Sequence, residues 1–398
     1  MDFSWTFTLS EEEIQLRFCD RNDGKTVFQA LLKDNFLNLE FMFSVKDRPL
    51  CMSAAASAGD TAKIVYRPYR IELYINGILL DEEWQFGDAL FTDAVREVEN
   101  VTLLEGDAPA EAVPPAFIDT FTDAEGWMPG DGVFAGDCMP YSDGERYHVL
   151  YLKDRHHHGS KWGLGAHQWS HISTKDFKSW DVHPMAVPID NPLEGSICTG
   201  SWIHENGKYY LYYSVRSVDG TSAPIRRSVS HDGYHYEKDR DFGFYLSDNY
   251  CGQRARDPKA VKDAEGNLHL FVTTTDMRIN KGCLAHLVSE DRKNFREIGN
   301  IYVSSDESEP ECPDYFSLNG KYYIILSHHG KGRYFISDDP FTGWTAPENN
   351  EIPCHGVPKC AVWQGKIVFT GFKPIGGYAG TLTFREALQN GDGTLTFI

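Results

Sequence analysis

Three acidic residues stand at matching distances ahead of a recurrent turn glycine. Asp137 lies seven residues before Gly144, Asp257 nine before Gly266, and Glu311 nine before Gly320. Each acid opens a short stretch of strand character: "GDCMPYS", "RDPKAVKD" and "PECPDYFSL". Acids gathered at one place repel, so a shared location would mark a site rather than packing. Two carboxylates flanking a glycosidic bond can cleave it. One protonates the leaving oxygen, and the other acts ionised as nucleophile or base. A third can hold sugar hydroxyls by charge-assisted hydrogen bonds. The other use of clustered acids is a hard cation such as calcium. No D-x-D-x-D loop is present. The run His156, His157, His158 in "DRHHHGSKWG" turns successive side chains in different directions, so at most two could meet one ion. The expectation is a site with no metal and no cofactor, its rim built partly by those histidines.

The elements that must position the acids form a repeat. Strands follow Gly144 ("GERYHVLYL"), Gly207 ("GKYYLYYSV"), Gly266 ("GNLHLFVTT"), Gly320 ("GKYYIILSH") and Gly365 ("GKIVFTGF"), at spacings of 63, 59, 54 and 45 residues. Between them a second signature recurs in "HISTKDFKSWDVH", "RSVSHDGYHYEKD", "HLVSEDRKNFREIG" and "YFISDDPFTGWTAP". It reads as strand, Asp-containing tight turn, strand. Four short strands per repeat and five repeats predict an all-β fold, a five-bladed β-propeller. Two stacked sandwiches are the alternative. In a propeller the first strand of each blade lines the central channel. "CTGSWIHE" and "VPKCAVW" complete that set, and the three acids would meet at one end of the axis. Trp127, Trp162, Trp169 and Trp202 are available beside such a funnel for stacking on sugar faces.

Composition bounds the rest. The 398 residues are 41% hydrophobic and 13% aromatic, enough for a packed core, and the Tyr, Phe, Trp and Gly content leans towards strands and turns. Helical patterns are scarce, with Asp93 to Leu103 the clearest. The formal net charge of −20 argues against nucleic acid and against an anionic membrane surface. No 18-residue apolar run spans a membrane. The start "MDFSWTFTLSEEEIQ" carries no leader pattern, and nine cysteines without framework or zinc spacing fit reduced thiols. The expected location is the cytoplasm.

Residues 1–110 lack both signatures. "TVFQALL", "LNLEFMFSV" and "AKIVYRPYRIELYINGILLDEEW" read as strands, with a turn at Asn76-Gly77. The "RIELYINGILLDEEW" segment resembles a strand pair of a concanavalin- or laminin-G-like β-sandwich. The expected organisation is therefore a sandwich at 1–110, a Pro/Ala-rich linker at 111–125 and the propeller at 126–398. The sandwich would support the propeller, mediate homodimer contacts or bind carbohydrate.

Taken together, the motifs resemble glycoside hydrolase family 32, the β-fructofuranosidases. Arg256-Asp257-Pro258 looks like that family's Arg-Asp-Pro motif, and Glu311-Cys312 its Glu-Cys motif. "HQWSHISTKDFKSWDVHPMAVP" resembles its Trp-Gly-His strand pair, and "CTGSW" its Phe-Ser-Gly-Ser segment. The resemblance covers roughly Gly126 to Phe372. It implies Asp137 as nucleophile, Asp257 as transition-state stabiliser and Glu311 as acid/base. Arg256, Trp162, His167, Trp169, Ser201 and Lys259 are the candidates for substrate contact. A retaining mechanism implies Asp137 and Glu311 about 5–5.5 Å apart.

The sequence also departs from the family pattern. "AGDCMPYSDGERYH" keeps Asp137 but lacks the Asn before it and the Pro-Asn-Gly after it. Asp131 in "GWMPGDGVF" is a second candidate in a less suitable register. Lys153 stands near the place of the family's Gln.

Other residues have plainer readings. Asp314, three after Glu311, should face the opposite side of its strand. Lys259 should alternate onto the side of Asp257. Cys138 and Cys312 read as buried packing residues, and His171 as bonding within one blade. Arg226 and Arg227 read as a solvated strand edge before phosphate contacts. The expected partner is a short β-fructofuranoside such as sucrose or a fructo-oligosaccharide. An inverting arabinofuranosidase or xylosidase, a transfructosylase and a non-catalytic sugar-binding propeller stay open.

Overall fold

The structure, a computed structural model, describes residues 3–10, 15–44, 49–67, 70–83, 88–99, 101–109, 126–130, 133–157, 167–191, 194–218, 220–221 and 223–398. Trp162, His158 and Asp131, together with residues 111–125, lie outside these.

The N-terminal strands make two five-stranded antiparallel sheets. One runs Leu104–Asp107, Phe3–Thr8, Thr61–Arg67, Arg70–Ile75, Ile78–Glu83; the other runs Leu50–Ala55, Phe36–Phe41, Thr26–Lys33, Gln15–Cys19, Val95–Glu99. Alternation turns Leu37, Leu39 and Phe41 inward with Phe18, Phe28 and Trp5, and all six join one buried core. The turn Asn76-Gly77 has φ of 51° and 81°, the left-handed pair that a two-residue hairpin requires. The helical pattern over Asp93 to Leu103 is overturned: Val95–Glu99 is an edge strand paired with Gln15–Cys19. So short a segment cannot hold a helix alone. As a strand it satisfies its backbone on a neighbour, and the Arg96 guanidinium lies over the rings of Trp5 and Phe18.

From Phe134 onward five antiparallel strand groups, called sheets below, follow one another, the first and last sharing one nine-stranded sheet. They begin with the inner strands Phe134–Ser142, Glu194–Glu205, Arg256–Lys262, Glu311–Leu318 and Lys359–Trp363. Each inner strand lies against the inner strand of the next sheet, and Lys359–Trp363 lies against Phe134–Ser142. The first and last sheets are joined through Ala135 opposite Gly380 and Trp127 opposite Leu382. The fourth sheet has three strands, extended by a bridge between Ile336 and Thr345.

Both sequence signatures have a physical basis in this arrangement. The five turn glycines all hold φ between 72° and 95°, a region costly for other residues. In the second signature, Asp176, Asp232, Asp291 and Asp339 each accept two backbone N–H bonds, from the residues two and three places on.

Four of the inner strands break register at the same level, between Ala135 and Cys138, Ile197 and Gly200, Arg256 and Lys259, and Glu311 and Asp314. Asp257 and Cys312 take left-handed φ of 54° and 50° there. Such bulges re-aim side chains and interrupt the two-residue alternation. Asp314 is buried as a hydrogen-bond partner away from Glu311, its Oδ1 meeting Lys259 Nζ at 2.5 Å and its Oδ2 accepting from the Cys360 N–H.

Candidate active site

The bulges bring the three sequence-predicted acids together. Asp137 accepts from Thr199 Oγ1 at 2.9 Å through Oδ2 and from the Tyr378 hydroxyl at 3.0 Å through Oδ1. The Tyr378 oxygen in turn accepts the Asp137 backbone N–H at 3.1 Å. Asp257 is buried, and its Oδ2 accepts the backbone N–H of Cys312 at 3.1 Å. The Cys312 thiol stands between the two carboxylates, 3.6 Å from Asp137 and 3.7 Å from Asp257. Burial pushes this thiol far above its ordinary pKa, with the two acids adding to the effect. It stays protonated, a donor rather than a nucleophile.

Arg256 ties the remaining acid to the pair. Its Nη2 donates to Glu311 Oε1 at 3.0 Å, and its Nε lies 3.7 Å from Asp257. Glu311 opens to solvent with 54% of its side chain exposed, yet the walls around it desolvate the carboxylate. That desolvation raises its pKa, Arg256 opposes it, and Asp257 and Asp137 add to the rise. Asp137 is also raised, by burial first and then by Asp257, against the hydrogen bonds from Thr199 and Tyr378. Glu309 flanks the mouth, bonded by Arg254 and Thr275.

The other candidates divide. His167 is buried, with Nε2 2.6 Å from Asp154 Oδ2, and its ring lies 5.4 Å from that of Tyr378. His157 Nδ1 donates to the Tyr378 carbonyl at 2.6 Å. These histidines form a wall behind Asp137. His156 points the other way, pairing with Asp81 and Glu83 of the N-terminal strands. Lys153 and Arg155 pair with the buried Glu82 beside it.

Trp169 is a correction: it is fully buried, donates Nε1–H to the Cys198 carbonyl and presents no face to a sugar. Trp127 is likewise core, and Trp202 stacks on Tyr141 at 4.4 Å. Ser201 is a correction of the same kind. Its hydroxyl staples two inner strands, donating to the Pro258 carbonyl and accepting from the Ala260 N–H. Lys259 goes to Asp314 instead of the acids, because the register break falls between Arg256 and Lys259. Lys259 and Ser201 line a separate cavity of about 240 Å³ with Lys359, Asp314, Tyr141 and Trp202. Arg227 is paired with Asp239, and Arg226 donates to the Phe242 carbonyl.

Sequence reasoning missed Thr199 and Tyr378. Thr199 was inside "CTGSW" and could have been found by its place in that motif. Tyr378 lies 241 residues from Asp137 in "GGYAG", and no local pattern marks it. Its counterpart is Gly136, where an added Cβ would meet the Tyr378 hydroxyl at 2.5 Å.

Comparison with known proteins is consistent with this geometry. Residues 137–349 match the family described as "Glycosyl hydrolases family 32 N-terminal domain". The chain is 28% identical over 197 residues to sucrose-6-phosphate hydrolase of Bacillus subtilis (strain 168), covering 46% of this chain and 40% of that protein. It is 27% identical over 199 residues to the Escherichia coli protein of the same name, covering 47% and 39%. The chain thus spans about two fifths of the length of these curated relatives. Among solved structures, fructan 1-exohydrolase IIa from Cichorium intybus superposes with a TM-score of 0.57 at 14% identity, covering 69% of this chain and 60% of that one. The GH32 beta-fructofuranosidase of Bombyx mori gives 0.55 at 19%, covering 69% and 64%. At these identities the likeness is one of fold.

Proposed function

The chain belongs to glycoside hydrolase family 32, and from that premise we propose that it cleaves short β-fructofuranosides with retention, by double displacement. The inner strands form the channel of a closed five-bladed propeller at 126–398, preceded by a sandwich at 1–110 and a linker at 111–125. Asp137 attacks the anomeric carbon of the fructosyl unit while Glu311 passes its proton to the leaving oxygen. The glycosidic bond breaks and an ester to Asp137 forms. Glu311, now ionised, takes a proton from water, whose oxygen releases the sugar and regenerates both groups. Asp257 and Arg256 hold ring hydroxyls, more tightly as charge develops.

The observation that carries this reading is the contrast between two carboxylates in one cluster. Asp137 receives two hydroxyl donors and Glu311 faces solvent beside Arg256. The donors oppose the rise that burial and Asp257 impose on Asp137, and they strengthen its ionised form at the moment of attack. Glu311, raised and open to water, suits proton exchange.

The relatives named as sucrose-6-phosphate hydrolases make sucrose 6-phosphate a second substrate to weigh beside sucrose and a short fructo-oligosaccharide. The test is fructose or fructose-phosphate release from each of these and from aryl arabinofuranoside and xyloside, with Asp137→Asn as control. Release from a fructoside that disappears in the variant supports the proposal. Pentose release, or fructose release that survives the substitution, contradicts it.

A further inference from the structure

A second gathering of titratable side chains lies in the first sheet, away from the acids. His148, His171 and His183 come from the consecutive strands Tyr147–Asp154, Gln168–Thr174 and Trp180–Val187. His171 stands directly opposite His183, and Leu150, two residues after His148, stands opposite His171. All three imidazoles therefore share one face. One ring nitrogen from each lies within 4.8 Å of the other two, and His148 Nδ1 is 3.0 Å from His171 Nε2. A tetrahedral zinc with Zn–N bonds of 2.0–2.1 Å holds its ligand nitrogens about 3.3 Å apart.

The surroundings are those of a ligand set. His148 Nε2 is backed by Asp143 Oδ2 at 3.1 Å, and His183 Nε2 by Ser173 Oγ at 2.7 Å. A carboxylate or hydroxyl behind an imidazole fixes its tautomer and orientation. His171 is fully buried, and its Nε2, the nitrogen facing His148, also lies 3.2 Å from the Tyr141 hydroxyl, a contact the ion would replace. Two of the three imidazoles, His148 and His171, are buried, and all three converge within the compass of one ion. Asp143, Asp181 and Asp232 supply negative charge around them, and Arg146 is neutralised on Asp181.

The third sheet offers an internal comparison. There His269 Nε2 meets Asp263 at 3.0 Å and His269 Nδ1 meets His286 Nε2 at 2.8 Å. The carboxylate–imidazole–imidazole chain is thus a repeated device of the fold. Opposite His286 on the outer strand stands Gly299, where the first sheet has His183. The third imidazole is what the first sheet adds.

We propose that His148, His171 and His183 bind one Zn²⁺, with a fourth position left to water. The ion would tie together three strands, one of which ends at Asp154, the residue bonded to both His157 and His167. The experiment uses the full chain, stripped with a chelator and titrated with Zn²⁺ against a chromophoric competitor. Circular dichroism checks the fold of each variant, and thermal unfolding is followed in parallel. One equivalent should bind and raise Tm, and His183→Gln should weaken binding at least tenfold. His286→Gln, in the third sheet, should leave it unchanged. His329→Gln controls for the exposed Asp306, His328 and His329 group. Absence of binding to the wild type, binding that survives His183→Gln in a folded protein, or binding lost instead with His329→Gln overturns the proposal.

Discussion

The Tyr378 hydroxyl makes two hydrogen bonds to one residue, donating to Asp137 Oδ1 at 3.0 Å and accepting the Asp137 N–H at 3.1 Å. The carboxylate is thereby held in one rotamer and given a donor that favours its ionised form. Removing a preorganised donor of this kind costs roughly a hundredfold in kcat. Tyr378→Phe should show about that loss with KM little changed, measured by steady-state fructose release. Gly136→Ala, which pushes a methyl into the Tyr378 hydroxyl, should reproduce it.

Asp137 also carries a stability consequence. Its folded-state pKa is raised by burial and by Asp257, so the ionised form is disfavoured by folding. For a raised acid, the stability it contributes is complete below the unfolded pKa of about 3.9 and lost as pH rises through the folded value. Asp137→Asn removes that loss. The variant should melt above wild type at pH 7 and converge with it below about pH 3, while its turnover is abolished. Thermal unfolding across that range checks both limbs.

The proposed mechanism makes Arg256 the control on the alkaline limit of activity, because in it Glu311 must be protonated to act on the leaving oxygen. Desolvation raises its pKa, and Arg256 is the largest opposing influence. Arg256→Gln should therefore move the alkaline limb of kcat/KM to higher pH, even as its maximum falls. A limb that moves to lower pH, or stays in place, would mean that another group controls it.

Glu82 ties the N-terminal strands to the wall of the site. It is 1% exposed and meets Lys153 and Arg155. Burial alone would raise its pKa, but Lys153, Arg155 and Arg70 together lower it to about 2. Removing one partner of a buried pair typically costs roughly 3–5 kcal/mol, so Glu82→Ala should lower Tm strongly at pH 7. A depressed carboxylate gives stability above its unfolded pKa and loses it as pH falls through the folded one. The wild-type advantage should thus shrink between about pH 4.5 and pH 2.

The parts of the fold that depend on local chemistry were legible in the sequence. The glycine turns and the Asp turns need particular residues at fixed offsets, and these marked all five inner strands in order. The meeting of Asp137, Asp257 and Glu311 followed, because equivalent strand positions are brought to one level. What was not legible depends on register. The break at Arg256/Lys259 suspends the alternation on which the placing of Lys259 beside Asp257 relies, and Lys259 pairs with Asp314 instead. Residue type and motif place Trp169 and Ser201 near the funnel, but neither distinguishes a packing or stapling role from contact with a ligand. Tyr378 comes from the far end of the chain, and only the pairing of the first sheet with the last carries it to Asp137. Val95–Glu99 has an ambiguous pattern that its neighbour Gln15–Cys19 decides.

In the proposed mechanism Asp137 forms a covalent bond to the sugar. The direct measurement is intact and peptide mass spectrometry of Glu311→Ala, quenched in acid after mixing with an activated aryl fructofuranoside whose leaving group needs no proton. The expected result is a protein one fructosyl unit heavier, with the addition on the peptide containing Asp137. An addition on a different peptide, or none while the variant still turns the activated substrate over, would contradict it.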